Sequence, residues 1–153
     1  MLSKIVRTVA SILVPLIFVF GLYIILHGQL TPGGGFQGGG IVASGLILYI
    51  LAYNSRYLQQ RFKDTYLSML EYAGALIFII AAFLGIASTF FYNVLVGSPI
   101  YGHIPVTGPN PGDYWTGGVQ PIMYFGIGLK VFAGVSTALW LLAINSTPSE
   151  AKK

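Results

Sequence analysis

Four stretches of this chain stay apolar for about the distance a bilayer demands, and that confines it to a membrane fold. A helix crossing the hydrocarbon core needs roughly 20 mainly apolar residues. The stretches run from about Ile5 to Leu26, Gly38 to Tyr53, Tyr72 to Tyr92 and Val119 to Ile144. The 153 residues are 55% hydrophobic and only 8% charged, too few charges to cover a water-facing surface, since soluble domains carry about 25%. The expected fold is all-α: a polytopic membrane protein with four transmembrane helices, forming a single domain over residues 1–153. Lys4 and Arg7 precede the first stretch as in a signal peptide. That stretch is too long for a cleavable segment and no small-residue cleavage site closes it, so it reads as a retained helix.

The connectors differ in character. The first, GQLTPGGGFQGGG, follows His27 and is rich in glycine. The second, NSRYLQQRFKDTY, is basic and polar. The third, from about Asn93 to Gly118, contains Pro99, Pro105, Pro109 and Pro111 and no lysine or arginine. Those prolines exclude a long regular helix, while Tyr101, Tyr114 and Trp115 are aromatics suited to the bilayer surface. An ordered cap is expected there.

Inside the spans, small residues recur at helical spacing: Ala81 and Gly85 in the third, with Gly74 and Ser88 on a similar face, and Gly39 with Ala43 and Gly40 with Ser44 in the second. Small residues at such spacing let helix backbones approach closely in lipid, so some of these faces are expected to meet other subunits. Lys130 lies near the middle of the fourth span, with Gly126 and Gly134 four residues to either side. A lysine facing lipid at that depth costs at least about 2.5 kcal/mol, so it should face protein or water. It reads either as an element of an ion or proton pathway or as half of an ion pair with a carboxylate on another subunit. Glu71 opens the third span, as a point where protons or cations enter or as a cap of the helix N-terminus. His27 closes the first span, as a proton-passing imidazole or as a hydrogen-bonded anchor. His103, in the third connector, has no evident partner in the sequence.

Several chemistries fail on inspection. The formal charge of +4 comes from basic residues that are not clustered, so no nucleic-acid partner is expected. The absence of cysteine removes disulfides and thiolate metal sites. Gly33, Gly35 and Gly38 satisfy GxGxxG formally, but the dinucleotide fingerprint needs a preceding strand and a later acidic residue. Two histidines far apart supply no metal site. The chain is not expected to be an enzyme by itself, and no cofactor or metal is expected.

The stretch HGQLTPGGGFQGGGIVASG closely resembles the signature of the MnhB/MrpB family, small membrane subunits of multi-subunit sodium/proton antiporters. His27, Gly28, Pro32, Gly33, Gly34, Gly35, Phe36, Gln37, Gly38 and Gly39 carry the resemblance. It implies a role in coupled Na+ and H+ movement across the cytoplasmic membrane, beside larger membrane subunits. Members of the family also occur in archaeal membrane-bound hydrogenases and sulfur-reducing respiratory complexes, where the redox centres lie on other chains. A purely structural spacer subunit is the alternative. The joint itself reads as a rigid turn between two spans, with Phe36 and Gln37 as its anchoring side chains.

Cytoplasmic loops retain lysine and arginine. Lys4, Arg7, Arg56, Arg61, Lys63, Lys152 and Lys153 fall on one side of a four-span chain and none falls on the other. Both termini are therefore expected in the cytoplasm. A membrane-impermeant label on intact cells should leave a tag at the C-terminus unmodified, and modification from outside would invert the topology.

Overall fold

The first apolar stretch folds as α1, Lys4–Leu26, and starts where Ser3 accepts a hydrogen bond from the Val6 amide at 3.4 Å. Such a side chain satisfies one of the amides a helix start leaves unpaired. Pro15 lies inside α1 without ending it, as proline commonly does in membrane helices. The computed structural model describes residues 3–53, 64–107 and 112–145. Over these, α1 is followed by α2, Gly35–Tyr53, α3, Asp64–Phe83, a short 3-10 turn at Tyr114–Gly117, and α4, Gln120–Asn145. All four α-helices are long and apolar enough to cross a membrane, and no strand occurs among the described residues. Arg56, Arg61, Lys63, Lys152 and Lys153 lie outside the described residues.

Two boundaries differ from the sequence expectation. Helix α2 begins at Gly35 rather than Gly38, because the Gly38 amide already donates to the Gly34 carbonyl at 3.0 Å. Helix α3 spans Asp64–Phe83 rather than 72–92. The polar residues before Glu71 are helical, while the apolar residues after Phe83 are not. There the chain turns: Ser88 N–H donates to the Gly85 carbonyl at 2.9 Å and Phe91 N–H to that of Ala82 at 3.1 Å. Apolarity reports burial in lipid or protein, and an apolar turn folded back on its helix has the same hydropathy as another helical turn.

In space the helices stand in the order α1, α2, α4, α3. Helix α2 packs between α1 and α4, α3 packs on α4, and α1 touches α4 only lightly. Glycine governs each seam. A Cβ on Gly38 would lie 2.7 Å from the Gly21 carbonyl of α1, one on Gly39 2.6 Å from the Gly128 carbonyl of α4, and one on Gly74 2.6 Å from the Gly126 carbonyl. The pairings make α1–α2 and α3–α4 antiparallel and α2–α4 parallel, as alternate crossing of a membrane requires. Away from the glycines, Ile50 and Trp140 close the far end of the α2–α4 seam together with Leu46, Tyr49 and Ala143. On the outside of α1, Ile5, Ile12, Leu16 and Val19 are at least 61% exposed, which suits a surface that meets lipid.

Gly39 and its neighbour Gly40 separate packing from composition. A Cβ on Gly40 would meet nothing within 4 Å. Gly39→Ala should destabilise the folded chain by about 1–3 kcal/mol through overpacking, whereas Gly40→Ala should be neutral. Thermal inactivation of the purified complex checks this, and equal midpoints for the two variants would refute glycine-set packing at α2–α4.

Candidate functional site

The glycine-rich joint is built by the end of α1. His27 caps that helix, its backbone N–H donating to the Tyr23 carbonyl and its Nδ1 lying 3.1 Å from the same oxygen. Its ring stacks on Tyr23 with centroids 4.2 Å apart and tilts against Tyr114. The His27 carbonyl accepts from Leu30 and Thr31, extending one more turn. Gly33 and Gly34 then adopt φ of 155° and 126°, angles glycine takes without strain and other residues avoid. Beyond them Gly35 presses on the Tyr124 carbonyl of α4. Phe36 and Gln37 do not anchor this turn: Phe36 is 68% exposed and Gln37 is exposed. Both sit on the first turn of α2, whose inward positions are taken by Gly35, Gly38 and Gly39. The anchoring side chain is Gln29, whose Nε2 donates to the Tyr114 carbonyl at 3.2 Å.

The third connector folds as a cap over the same end. Asn93 holds its two ends together, donating from Nδ2 to the Gly117 carbonyl at 3.2 Å and accepting at Oδ1 from the Val119 amide at 2.7 Å. A cavity of about 300 Å³ opens beside it, lined by Phe91, Asn93, Val119, Gln120, Met123, Tyr124 and Ile127. Tyr101 stacks on Trp115 at 5.2 Å. His103, without an evident partner in the sequence, meets Asp113 with Nδ1 2.7 Å from Oδ2. Asp113 also accepts from the Trp115 amide at 3.0 Å and so caps the 3-10 turn. The His103 hydrogen bond, followed by that of Trp115, holds the Asp113 carboxyl below its ordinary value. A depressed carboxylate contributes fully above the unfolded pKa, ordinarily about 3.9. That contribution is lost only as pH falls through the lower folded value. Asp113→Ala should therefore speed amide exchange over residues 113–116 at neutral pH. The wild-type cap should stay protected down to about pH 4. Equal exchange in the two proteins would remove Asp113 from this role.

The second constellation is the seam between α3 and α4. Gly74 rests on the backbone of Lys130: a Cβ there would lie 2.6 Å from the Lys130 nitrogen and 3.1 Å from its Cα. Gly126 on the same row meets the Gly74 carbonyl and Phe78. The smooth stripe around Lys130 is thus occupied first by α3 of the same chain. Glu71 is the eighth residue of α3, not its first, so it does not cap the helix N-terminus. Its carboxylate lies against α4, with Oε1 3.5 Å from where a Cβ on Gly134 would stand. Lys130 and Glu71 are brought to one seam, one turn apart, yet no ion pair joins them among the described residues.

The reason is directional. Side chains on a helix lean toward its N-terminus, and α3 and α4 run antiparallel, so the two side chains lean apart. Lys130 remains exposed and Glu71 is half-buried. Two residues past Gly134, and so on the opposite side of α4, lies Ser136, fully buried, its hydroxyl unpartnered among the described residues. His27 belongs to the joint, and neither its stacking nor its hydrogen bond involves Glu71 or Lys130.

Of the packing residues expected from sequence, Gly126 meets α3, Gly134 meets the Glu71 carboxylate and Ala81 is buried at 2% exposure. Gly85 is not helical and packs on Tyr92 of the following turn rather than on another helix. Gln29, which joins the first connector to the third, Asn93, which closes the third, and Tyr124 of α4, which meets Gly28 and Gly34, carry no signal in the sequence, since each works through a partner far along the chain.

A family model described as "Domain related to MnhB subunit of Na+/H+ antiporter" matches residues 5–137. The uncharacterized protein MJ1307 of Methanocaldococcus jannaschii is 34% identical over 145 residues, covering 92% of this chain and 52% of that protein. The putative antiporter subunit mnhB2 of Staphylococcus aureus strain MRSA252 is 36% identical over 110 residues, covering 67% of this chain and 75% of its own length. A chain from the structure of the membrane-bound sulfane sulfur reductase, an archaeal respiratory membrane complex, matches with a TM-score of 0.72 and 28% identity, over 92% of this chain and 58% of that one. This chain therefore spans about half the length of MJ1307 and less than two thirds of the reductase chain. A match running from the first turns of α1 deep into α4 makes the assignment plain: the chain belongs to the MnhB family, named for a subunit of Na+/H+ antiporters.

Proposed function

We propose that this chain is a non-catalytic membrane subunit of a Na+/H+-translocating module in the cytoplasmic membrane, contributing charged groups to the ion path. Family membership supports the setting, and the observation that carries the role is the α3–α4 seam. A helix rises 1.5 Å per residue, so Lys130, ten residues past Gln120, stands about 15 Å from that end of α4. Glu71, seven residues past Asp64, stands about 10 Å from the other face of the bundle. Intramembrane ionisable groups are expensive, and where they persist they usually mark ion and proton pathways. A carboxylate and an ammonium at successive depths on one seam, leaning toward opposite ends, suit stepwise transfer better than a static ion pair does.

The likeness to a chain of a respiratory membrane complex favours a second setting. There the same subunit would work in a redox-driven assembly whose electron-transfer centres lie on other chains. In either setting His27 serves as an anchor of the joint, since both its ring and its backbone are engaged with Tyr23.

Lys130→Ala and Glu71→Gln should each lower Na+/H+ exchange by about tenfold or more, the scale of losing a proton-transfer group, while the chain still co-purifies with its partners. Exchange is read in everted membrane vesicles with a pH-sensitive dye. Wild-type exchange in both variants would defeat the path role and leave a spacer subunit whose sensitive positions are the seam glycines.

A further inference from the structure

No carboxylate pairs with Lys130 among the described residues. The chain holds four carboxylates, Asp64, Glu71, Asp113 and Glu150. Asp113 is engaged with His103 in the cap. Asp64 starts α3, seven residues beyond Glu71 and on the side away from Lys130. Glu150 follows the end of α4 by five residues, while Lys130 precedes that end by fifteen, about 22 Å along the helix. Glu150 itself lies outside the described residues. Glu71 is near in structure, but its carboxylate is turned to Gly134 and leans away from the lysine.

Lipid is no alternative for the exposed ammonium. A lysine stem of about 6 Å, leaning toward the α4 N-terminus, leaves the charge about 9 Å short of that helix end. The surface beside it also suits an approaching helix. Gly134, one step of four on from Lys130, is taken by the Glu71 carboxylate, but Ala138 at the next step is small and exposed, so a second backbone can approach there.

We infer that the Lys130 flank of α4 is an interface, covered in the assembled complex by a membrane subunit that presents a carboxylate at the depth of Lys130. The inference rests on reading the chain as a subunit of a larger complex, and it adds the surface used and the chemistry of what covers it.

The chain has no cysteine, so Lys130→Cys introduces a unique thiol. In the intact complex this variant is combined with cysteine at each intramembrane aspartate or glutamate of the co-purifying subunits in turn. One combination should form a disulfide on mild oxidation. Lys130→Glu alone should lower recovery of the chain with its partners by about tenfold or more, because like charges face each other. Replacing the cross-linking carboxylate by lysine in that background should restore recovery to within about twofold. Absence of any cross-link together with full recovery of Lys130→Glu overturns the inference and leaves the flank facing water. A disulfide between two copies of this chain overturns it as well. Isolation of the chain without any other membrane subunit would instead overturn the complex-subunit reading beneath it. None of these outcomes depends on exchange activity.

Discussion

Close approach of helix backbones at glycine is the interaction on which the rest of this structure depends. In lipid, apolar side chains gain little by meeting each other, because the surrounding tails are as apolar as they are. Packing density and short backbone contacts must then hold the bundle. Gly38 against Gly21, Gly39 against Gly128 and Gly74 against Gly126 supply one such contact for each main seam. They also fix order: α2 carries glycines toward both neighbours, which places it between α1 and α4, while α3 reaches the row only through α4. The signature joint belongs to this scheme, since its glycines both turn the chain and begin the α2–α4 seam.

The charges follow from the same geometry. Once Gly74 seats α3 on the backbone of Lys130, the Glu71 carboxylate is carried to the next turn of α4 rather than to the lysine itself. Two neighbouring ionisable groups are thus held near each other without neutralising each other. The capped end contrasts with this. His103 and Asp113 are bound together there, and Asp113 is locked further by the Trp115 amide.

Four membrane-length helices, the joint and the single mid-span lysine were legible in the sequence because each is a local property of composition. The errors have separate physical causes. Hydropathy placed the third helix at 72–92, and the structure begins it at Asp64 and ends it at Phe83, since an apolar turn and an apolar helix look alike to a window average. That shift alone moved Glu71 from helix start to helix interior and took Gly85 out of helix packing. Phe36 and Gln37 were read as anchors because they are the large residues among glycines, but on α2 the glycines occupy the contact face and the large residues are left outside. Gln29 to Tyr114 and Asn93 to Gly117 join segments far apart in the chain, and nothing in one segment announces the other.

Standing the helices in a row has a consequence of its own. A compact four-helix bundle hides one face of every helix around a central axis. Here the row is bent, because α1 also meets α4, with Ile25 at Gly128 and the Phe18 and Phe132 rings 6.2 Å apart. Helices α1, α2 and α4 thus share one junction, while α3 is tied to it chiefly along its seam with α4. The junction of three is then the stiff part of the chain, and α3 is the helix with the fewest ties to it.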